Sequence, residues 1–495
     1  MNNLHLRPTR SAPMEIGAIE LSRRDDCVNP DPADTVADRI NTLLNSSGPG
    51  YVLNLCPNTE YMLQSPLLFA APNQEISTEG YPTDDSRATL VVDGPVANGM
   101  GHTTAVSGTC DSCSGIILRN IQINGARDGA PPTGGGGNIE MGGGNANQTV
   151  QFVRSYNPRG WTCLHIVEGP YTCTNTLVQN NDIGPCGVDT FQEWADGISV
   201  SCRDSIVRNN MIQGATDGGI VLFGSPGTQV YNNTIWITNN TLLGGINMVD
   251  YQPWKGDFTN TVVRNNTIVG GFATGSDASS DSLGPNEDDV FIKIAIAIGP
   301  RTWFGDAYGS NFSFSGVVED NHLTGAFGYG IAVTSAVNFT VQNNVLVGNT
   351  SFIGVPGDKC SETVPIPSPA PFLYDNTVSG DALQPDFQLV ADASSLTCIA
   401  APTSGDYWPF GSDPGSATGP GAPTISDGSP TSSETVSFRR TSPITAGIAS
   451  GVLLGVAALG VAVWFVRKWA LRRAENKKLY TSSRGFEAPG FVKHG

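Results

Sequence analysis

The stretch Asn209-Asn210-Met211-Ile212-Gln213-Gly214 (NNMIQG) decides how this chain folds, because close copies of it recur. NNTLLG starts at Asn239, NNTIVG at Asn265, DNHLTG at Asp320 and NNVLVG at Asn343, with a shortened NNDIG at Asn180. From Asn209 onward the starts are separated by 30, 26, 55 and 23 residues. Periods in this range belong to solenoids and propellers, and a propeller blade needs about 40 to 45 residues. Short β-runs, tight turns and a minimal spacing of 23 residues therefore read as one rung of a parallel β-helix. Rungs rise about 4.8 Å apart, so equivalent residues stack in columns. Asparagine suits such a column: its amide both donates and accepts, and it tolerates the left-handed backbone of a sharp corner. The aliphatic residue two places after the doublet is expected to point into the core, and the glycine to open the next corner. These asparagines are read as structural, not catalytic.

Working outward, an aliphatic strand that often opens with Gly-Ile follows each hexad: GISV at Gly197, GIVL at Gly219, GINM at Gly245, AIAI at Ala295 and GIAV at Gly330. With 59 glycines in 495 residues and only 15 % charged residues, the composition agrees with an all-β chain rich in turns. Upstream, DPADTVADRINTLLN places Val36, Ile40, Leu43 and Leu44 on one helical face, with Asp31 as N-cap, Pro32 in the first helical position and Asp34 in the first turn. Such a helix would cover the open edge of the solenoid.

This helix, the following GPGYVLNLCPNTEYML and the stacked VVRNN and DGI rungs resemble the right-handed parallel β-helix proteins of the pectin-lyase-like superfamily, from about Cys27 to Cys398. The resemblance implies the fold. It implies no single chemistry, because the superfamily holds lyases, hydrolases, epimerases and adhesins. The Gly-His-Gly and Arg-Ile-Lys motifs of polygalacturonases and the Arg-x-Pro-x-x-Arg of pectate lyases are missing. Asp288-Asp289 falls in the polar loop SDASSDSLGPNEDD rather than on a rung, so no hydrolase carboxylate is carried over to it.

The segment order predicts five parts: residues 1–26 poorly structured, 27–400 the β-helix, 401–443 a Pro/Gly/Ser/Thr-rich stalk, 444–466 a transmembrane helix and 467–495 a basic tail. Residues 444–466 run for 23 positions without a charge, enough to cross a hydrocarbon core of about 30 Å. The tail holds eight basic and two acidic residues, so by the positive-inside rule it lies in the cytoplasm and the β-helix outside. Without the tail, the formal charge of −18 becomes −24, which argues against nucleic acid and against polyanionic substrates unless a basic groove intervenes. Residues 1–26 lack the apolar run of a secretory leader, and Arg23-Arg24 is read as a processing site. All ten cysteines precede the predicted span, as do eight N-x-S/T sequons at Asn45, Asn147, Asn232, Asn239, Asn265, Asn311, Asn338 and Asn349; both fit an oxidising exterior. Cys110-x-x-Cys113 is expected to be a structural disulfide. Cys163 with Cys173, and Cys186 with Cys202, are near enough in sequence to staple loops, and the connectivity stays open.

Reading the outward position down the Gly-Ile strands gives Glu140, His165, Ser199, Val221, Asn247, Ala297 and Ala332. The column is polar at its N-terminal half, so a groove is expected over the first rungs. Candidate catalytic residues are Asp196 and Asp217, each just before a strand, with Glu140 and His165 as a possible acid–base pair one rung apart and Glu168 nearby. Carboxylates on adjacent rungs would stand about 5 Å apart, the retaining glycosidase separation. The plainer readings are an Asp before Gly that caps a turn, and a surface histidine. His322 falls within a hexad turn, and His5, His102 and His494 lie in poorly structured contexts.

Trp161, Trp194, Tyr251, Trp254 and Trp303 sit beside turns at one edge of the rungs, suited to sugar rings or to loop packing. Arg159, Arg203, Lys293 and Arg301 are the basic residues near rung ends from which any lyase base or carboxylate clamp must come; Trp161, Trp194, Tyr251, Trp254 and Arg203 are the expected substrate contacts. No cofactor is expected. Ca²⁺ would be held, if anywhere, by the acidic loop Asp277 to Asp289, which lacks the EF-hand pattern. The expected function is binding or remodelling of a cell-wall or extracellular polysaccharide by a protein anchored in the bilayer, as hydrolase or lyase. The alternative is a non-catalytic binding or structural rod.

Overall fold

A computed structural model describes residues 27–401 except 238–239, 272, 275–281, 284–290, 358–359 and 361–365. Within them the chain winds as a parallel β-helix of three faces. One turn illustrates all: Ile206–Arg208 on the first face, Met211–Gln213 on the second and Gly218–Leu222 on the third. The next turn repeats it with Gln229–Tyr231, Thr234–Trp236 and Leu242–Met248, each pairing in parallel with its predecessor. The first face is an 11-stranded sheet. The other two merge into one 20-stranded sheet because the long strand His322–Val333 pairs with the second face at its start and the third face at its end.

The asparagine doublet divides its labour. Its first member holds the corner between the first and second faces in the left-handed region: Asn180, Asn209, Asn232, Asn265, Asp320 and Asn343 have φ of 52 to 57°. Its second member turns inward and forms the ladder. The Nδ2 amide of Asn181 donates to Oδ1 of Asn210, and the relay continues through Asn233, Asn266 and Asn321 to Asn344, every step 2.9 Å. The second hydrogen of each amide goes to a carbonyl of the preceding turn, Val150 for Asn181 and Val178 for Asn210. Gln384 closes the upper end, accepting the Asn344 backbone N–H. Buried amides are thus satisfied on a column where Ile121 and Val153 serve the lower rungs.

One expectation about this motif is corrected. In the copy that starts at Asn239, which lies outside the described residues, Asn240 is not a rung of the ladder. Asn240 donates to the Ala215 carbonyl instead, and the true member is Asn232-Asn233, which lacks the glycine of the hexad. A second left-handed column, before the first face, escaped sequence reading: Asn73, Gly115, Asn147, Asn175, Asp204, Gly227, Asn260, Ser315, Asn338 and Gly380. Its members share no repeated hexad, only tolerance of positive φ.

Inside, columns of branched aliphatics stack in register, such as Val178, Val207, Val230 and Val263 on the first face and Ile198, Ile220 and Ile246 on the third, all fully buried. Each contributes roughly 1.5–3 kcal/mol of burial. The aliphatic after the doublet enters this core at Ile183, Ile212, Ile268 and Leu323, but Leu346, on the terminal rung, is 40 % exposed. Helix α1, Val36–Ser47, caps the lower end with Val36, Ala37, Ile40 and Leu44. Asn41 pairs with the edge strand by donating to the Pro66 carbonyl and accepting the Leu68 N–H. Leu43 instead faces outward, and the Asp31 cap is not formed: a 3₁₀ turn at Ala33–Thr35 precedes the helix, which starts at Val36 without a side-chain cap.

The disulfides are Cys27–Cys56, Cys110–Cys113, Cys163–Cys186, Cys173–Cys202 and Cys360–Cys398. Cys110–Cys113 is structural, as expected. Cys163 and Cys173 do not pair with each other; each reaches a cysteine one turn onward, 23 and 29 residues away, because neighbours in sequence on a solenoid point to different places while rung equivalents stack. No helix among the described residues is long and apolar enough to cross a membrane. Residues 444–466 lie outside the described residues, as do residues 1–26, the stalk beyond residue 401, the basic tail, and most of the acidic loop considered for Ca²⁺.

Candidate functional site

The outward column of the third face has the register read from the sequence: Glu140 pairs with His165, His165 with Ser199, then Val221, Asn247, Ala297 and Ala332 in turn. Its C-terminal end is closed. Ile399–Ala400 pairs with Val355–Pro356, and the Lys293 ammonium donates to the Thr397 carbonyl at 2.8 Å. From His165 onward the column is buried, so loops returning from the rung ends cover it.

Glu140 and His165 meet. His165 Nδ1 lies 2.8 Å from Glu140 Oε2, while Glu140 Oε1 accepts the Gly137 N–H at 2.6 Å. His165 is 6 % exposed. Burial alone would lower its pKa, but the Glu140 charge and hydrogen bond, with a smaller push from Glu168, raise it. With Nδ1 engaged, Nε2 is the nitrogen left for a further partner. Trp161 packs edge-on against the imidazole at 4.8 Å, and Phe223 completes an aromatic trio 6.5 Å from it.

Asp196 and Asp217 belong to a second group. Asp196 stands in register with Thr162 and, by the pairing of Ile198 with Ile220, opposite Gly218; Asp217 is thus offset by one residue. Neither the turn cap nor simple stacking describes Asp196. It is a strand residue, 5 % exposed, whose Oδ1 accepts the Gly218 N–H at 2.9 Å and whose Oδ2 accepts the Ser199 hydroxyl at 2.8 Å. Ser199 Oγ lies 3.0 Å from the Thr162 hydroxyl, so it serves Asp196 and not His165. Gly218 leaves room for this: a methyl group there would meet Val221, Asn247 and Asp196.

The carboxyl of Asp196 is held well above the usual range, chiefly by burial and then by the charge of Asp217, against the two hydrogen bonds that lower it. Asp217 is half-buried, and burial followed by the charge of Asp250 pushes it up to about 7. Asp250, 3 % exposed and just beyond the end of the third-face strand Leu242–Met248, is the member that sequence reasoning missed. It carries no motif. Only the folding back of the turn brings its charge to Asp196 and Asp217.

Glu140 is bonded to His165, while Asp196 is bonded to Ser199, the register partner of His165, and is coupled by charge to Asp217. Thr162, opposite Asp196, and His165 are three residues apart on one strand, about 10 Å at about 3.3 Å per residue. Among the described residues no group of three or more His, Cys, Asp and Glu is arranged to hold a metal ion.

The aromatic residues do not share one edge. Trp161 and Trp194 precede third-face strands, whereas Tyr251, Trp254 and Trp303 follow them, giving the face two rims. Trp194 packs on Phe191, and Arg127 ties that loop down by donating to the Glu193 carbonyl at 2.8 Å. Trp254 donates to the Ser201 carbonyl at 2.7 Å and packs on Tyr171; Tyr251 packs on Tyr308. Trp303 reaches back over the strands, close to Gly244 and Asn247.

Most of the basic residues are spent. Arg159 donates to the Gly94 and His102 carbonyls, Lys293 to Thr397, and Arg301 pairs with Asp306 and Asp392; of these four only Arg203 is exposed, 5.9 Å from the Trp254 ring. Two histidines differ from expectation. His322 begins a strand, and His102 is held at both ring nitrogens, Nδ1 accepting the Gly94 N–H and Nε2 bonding the Thr104 carbonyl.

Residues 170–346 match the family model of the right handed beta helix region. No curated protein matches the chain. Among solved structures, an alginate lyase from Paenibacillus sp. str. FPU-7 is 14 % identical, with 63 % of this chain and 95 % of that one covered and a TM-score of 0.39. DFA-IIIase from Arthrobacter chlorophenolicus A6 is 14 % identical over 73 % and 92 %, with a TM-score of 0.43. The Azotobacter vinelandii mannuronan C-5 epimerase AlgE6 A-module is 13 % identical over 71 % and 95 %, at 0.39. These likenesses are of fold, and no single enzyme family is matched. The described residues thus form a parallel β-helix, matched as a right-handed one over residues 170–346.

Proposed function

We propose that the third face hydrolyses an uncharged glycan, with Asp217 as the proton donor. The observation that carries this reading is Asp196, buried on the outward side of the third face with its carboxyl on the Ser199 hydroxyl and the Gly218 N–H, and subject to the charges of Asp217 and Asp250. Burying carboxylates together costs stability, and such sites recur where a carboxyl must stay protonated near neutral pH. Asp217, at about 7 and the least buried of the three, can give its proton to a glycosidic oxygen. Asp196 has both oxygens occupied, so its role is to keep a proton in the group, and Asp250, whose charge acts on both other carboxyls, is assigned as the base that draws a proton from water. Glu140, His165 and Trp161 form a neighbouring subsite, the imidazole bonding a sugar hydroxyl and the indole packing on a ring. The engagement of Arg159, Lys293 and Arg301 supports an uncharged substrate, because a uronate needs a free cation beside its carboxylate.

One observation favours the alternative of a non-catalytic binding rod: the outward column is covered from His165 onward. The test is a panel of neutral and acidic polysaccharides offered to the purified full-length protein, with Asp217→Asn, Asp196→Asn and Asp250→Asn beside it. Hydrolysis releases reducing ends from a neutral glycan without an unsaturated product, and Asp217→Asn lowers the rate by about 10²-fold or more. Binding without release, unchanged in all three variants, would establish the rod. We also place the β-helix outside the cell on the 444–466 span, with the basic tail inside; protease protection of the tail in sealed cells tests that orientation.

A further inference from the structure

We propose that Asn147, Asn232, Asn265 and Asn338 carry N-linked glycans that fence the two edges of the first face. All four head N-x-T sequons, and all four occupy left-handed corners, at φ of 60, 56, 52 and 58°. The solenoid gives each sequon the same shape. The asparagine is exposed, the next residue (Gln148, Asn233, Asn266 or Phe339) turns into the core, and the threonine returns to the surface. None of the four side-chain amides makes a hydrogen bond among the described residues. The ladder removes the remaining ambiguity of the Asn-Asn-Thr copies, since the inner asparagine is buried and the outer one is free.

An independent feature says what such glycans would do. The outward side of the first face carries a half-exposed aliphatic stripe in register, Ile117, Leu177, Ile206, Val262 and Val317, interrupted by Thr149 and Gln229. A flat sheet face of this kind invites association between copies. Asn147 and Asn338 stand two residues before Thr149 and Thr340 on its upstream edge. Asn232 and Asn265 directly follow Tyr231 and Arg264 on its downstream edge. Glycans there flank the stripe on both sides, while these corners leave the third face bare. In the modification, Nδ2 attacks the anomeric carbon of a lipid-diphosphate-linked oligosaccharide. The N–C bond forms, the C–O bond to the diphosphate breaks, the lipid diphosphate leaves with the electron pair, and the amide releases one proton.

The full chain, directed into the secretory pathway of yeast by a cleavable leader and extracted in mild detergent, is digested and treated with an amidase that converts glycosylated asparagine to aspartate in heavy-oxygen water. Label at all four corners is expected; label at Asn45 and Asn311 with the corners unlabelled overturns the assignment. The shielding is read by sedimentation of the folded protein before and after enzymatic removal of the glycans. It is read again in a variant combining Asn147→Gly, Asn232→Gly, Asn265→Gly and Asn338→Gly, which keeps the left-handed corners. Self-association of the stripped protein is expected at concentrations where the parent is monomeric, and monomers throughout overturn the shield.

Discussion

Replacing Asn210 by alanine should destabilise the solenoid far more than any change at Asn209 beside it. The Asn210 Oδ1 accepts two hydrogen bonds, from the Asn181 backbone N–H at 3.1 Å and its Nδ2 at 2.9 Å. Its Nδ2 donates to Asn233 Oδ1 at 2.9 Å and to the Val178 carbonyl at 3.1 Å. Alanine leaves two buried donors on Asn181 without an acceptor and one carbonyl without that donor. The Asn233 Oδ1 keeps the Asn210 N–H, so the loss does not spread upward. At about 1–3 kcal/mol for each orphaned buried donor, Asn210→Ala should cost about 3–5 kcal/mol. Asn209→Gly, at an exposed corner with φ of 55°, should change stability by less than about 1 kcal/mol. Urea unfolding of both variants gives the midpoints, and amide exchange at Val153, Asn181 and Asn210 localises the loss, which matters because solenoids need not unfold in one step. Equal costs at the two positions, or a cost below about 1 kcal/mol at Asn210, would refute the ladder as a source of stability.

Three further outcomes follow from the titrating groups. The Asp217 pKa is raised above its unfolded value, so its contribution favours the fold at low pH and is lost as pH rises from about 4 through about 7; Asp217→Asn should therefore raise the urea midpoint at pH 8 and leave it nearly unchanged at pH 4. Glu140→Gln removes the charge that raises His165, so the imidazole should titrate at lower pH by nuclear magnetic resonance while Trp161 stays packed. His102 is lowered by burial first and by the charge of Arg159, against the Thr104 hydrogen bond and Asp93, and its Nδ1 accepts an N–H that protonation would displace. Its stabilising contribution is present above about 6.5 and lost as pH falls; the protection of the Gly94 amide, its exchange rate relative to that of the unfolded chain at the same pH, should fall between pH 7 and pH 5 in the parent and stay constant in His102→Gln.

The outward register of the third face was legible because period-2 strands leave little freedom once the Gly-Ile starts are aligned, and Glu140 against His165 came directly from it. The place of Asn240 was misread for the same reason that the other doublets were found: composition identifies a doublet, but only the winding decides which doublet lies on the column. Asp250 and the two rims of aromatics were not legible. Turns that leave the rungs obey no period, so Trp303 reaches Gly244 and Asp250 reaches Asp217 by paths that sequence spacing does not record. Equally, Arg159, Lys293 and Arg301 looked available in sequence, because nothing there shows which backbone carbonyls and carboxylates already occupy them.

The sequence by itself determined the coil. Its asparagines, glycines and branched aliphatics recur at one rung's length, and stacking at about 4.8 Å makes each copy the partner of the next. Only the tertiary structure decided the chemistry, by pressing three carboxyls from separate turns together and by covering the upper face with loops. Periodic contacts are short-range and repeat with the chain, whereas charge coupling and burial depend on distances in space that no period encodes.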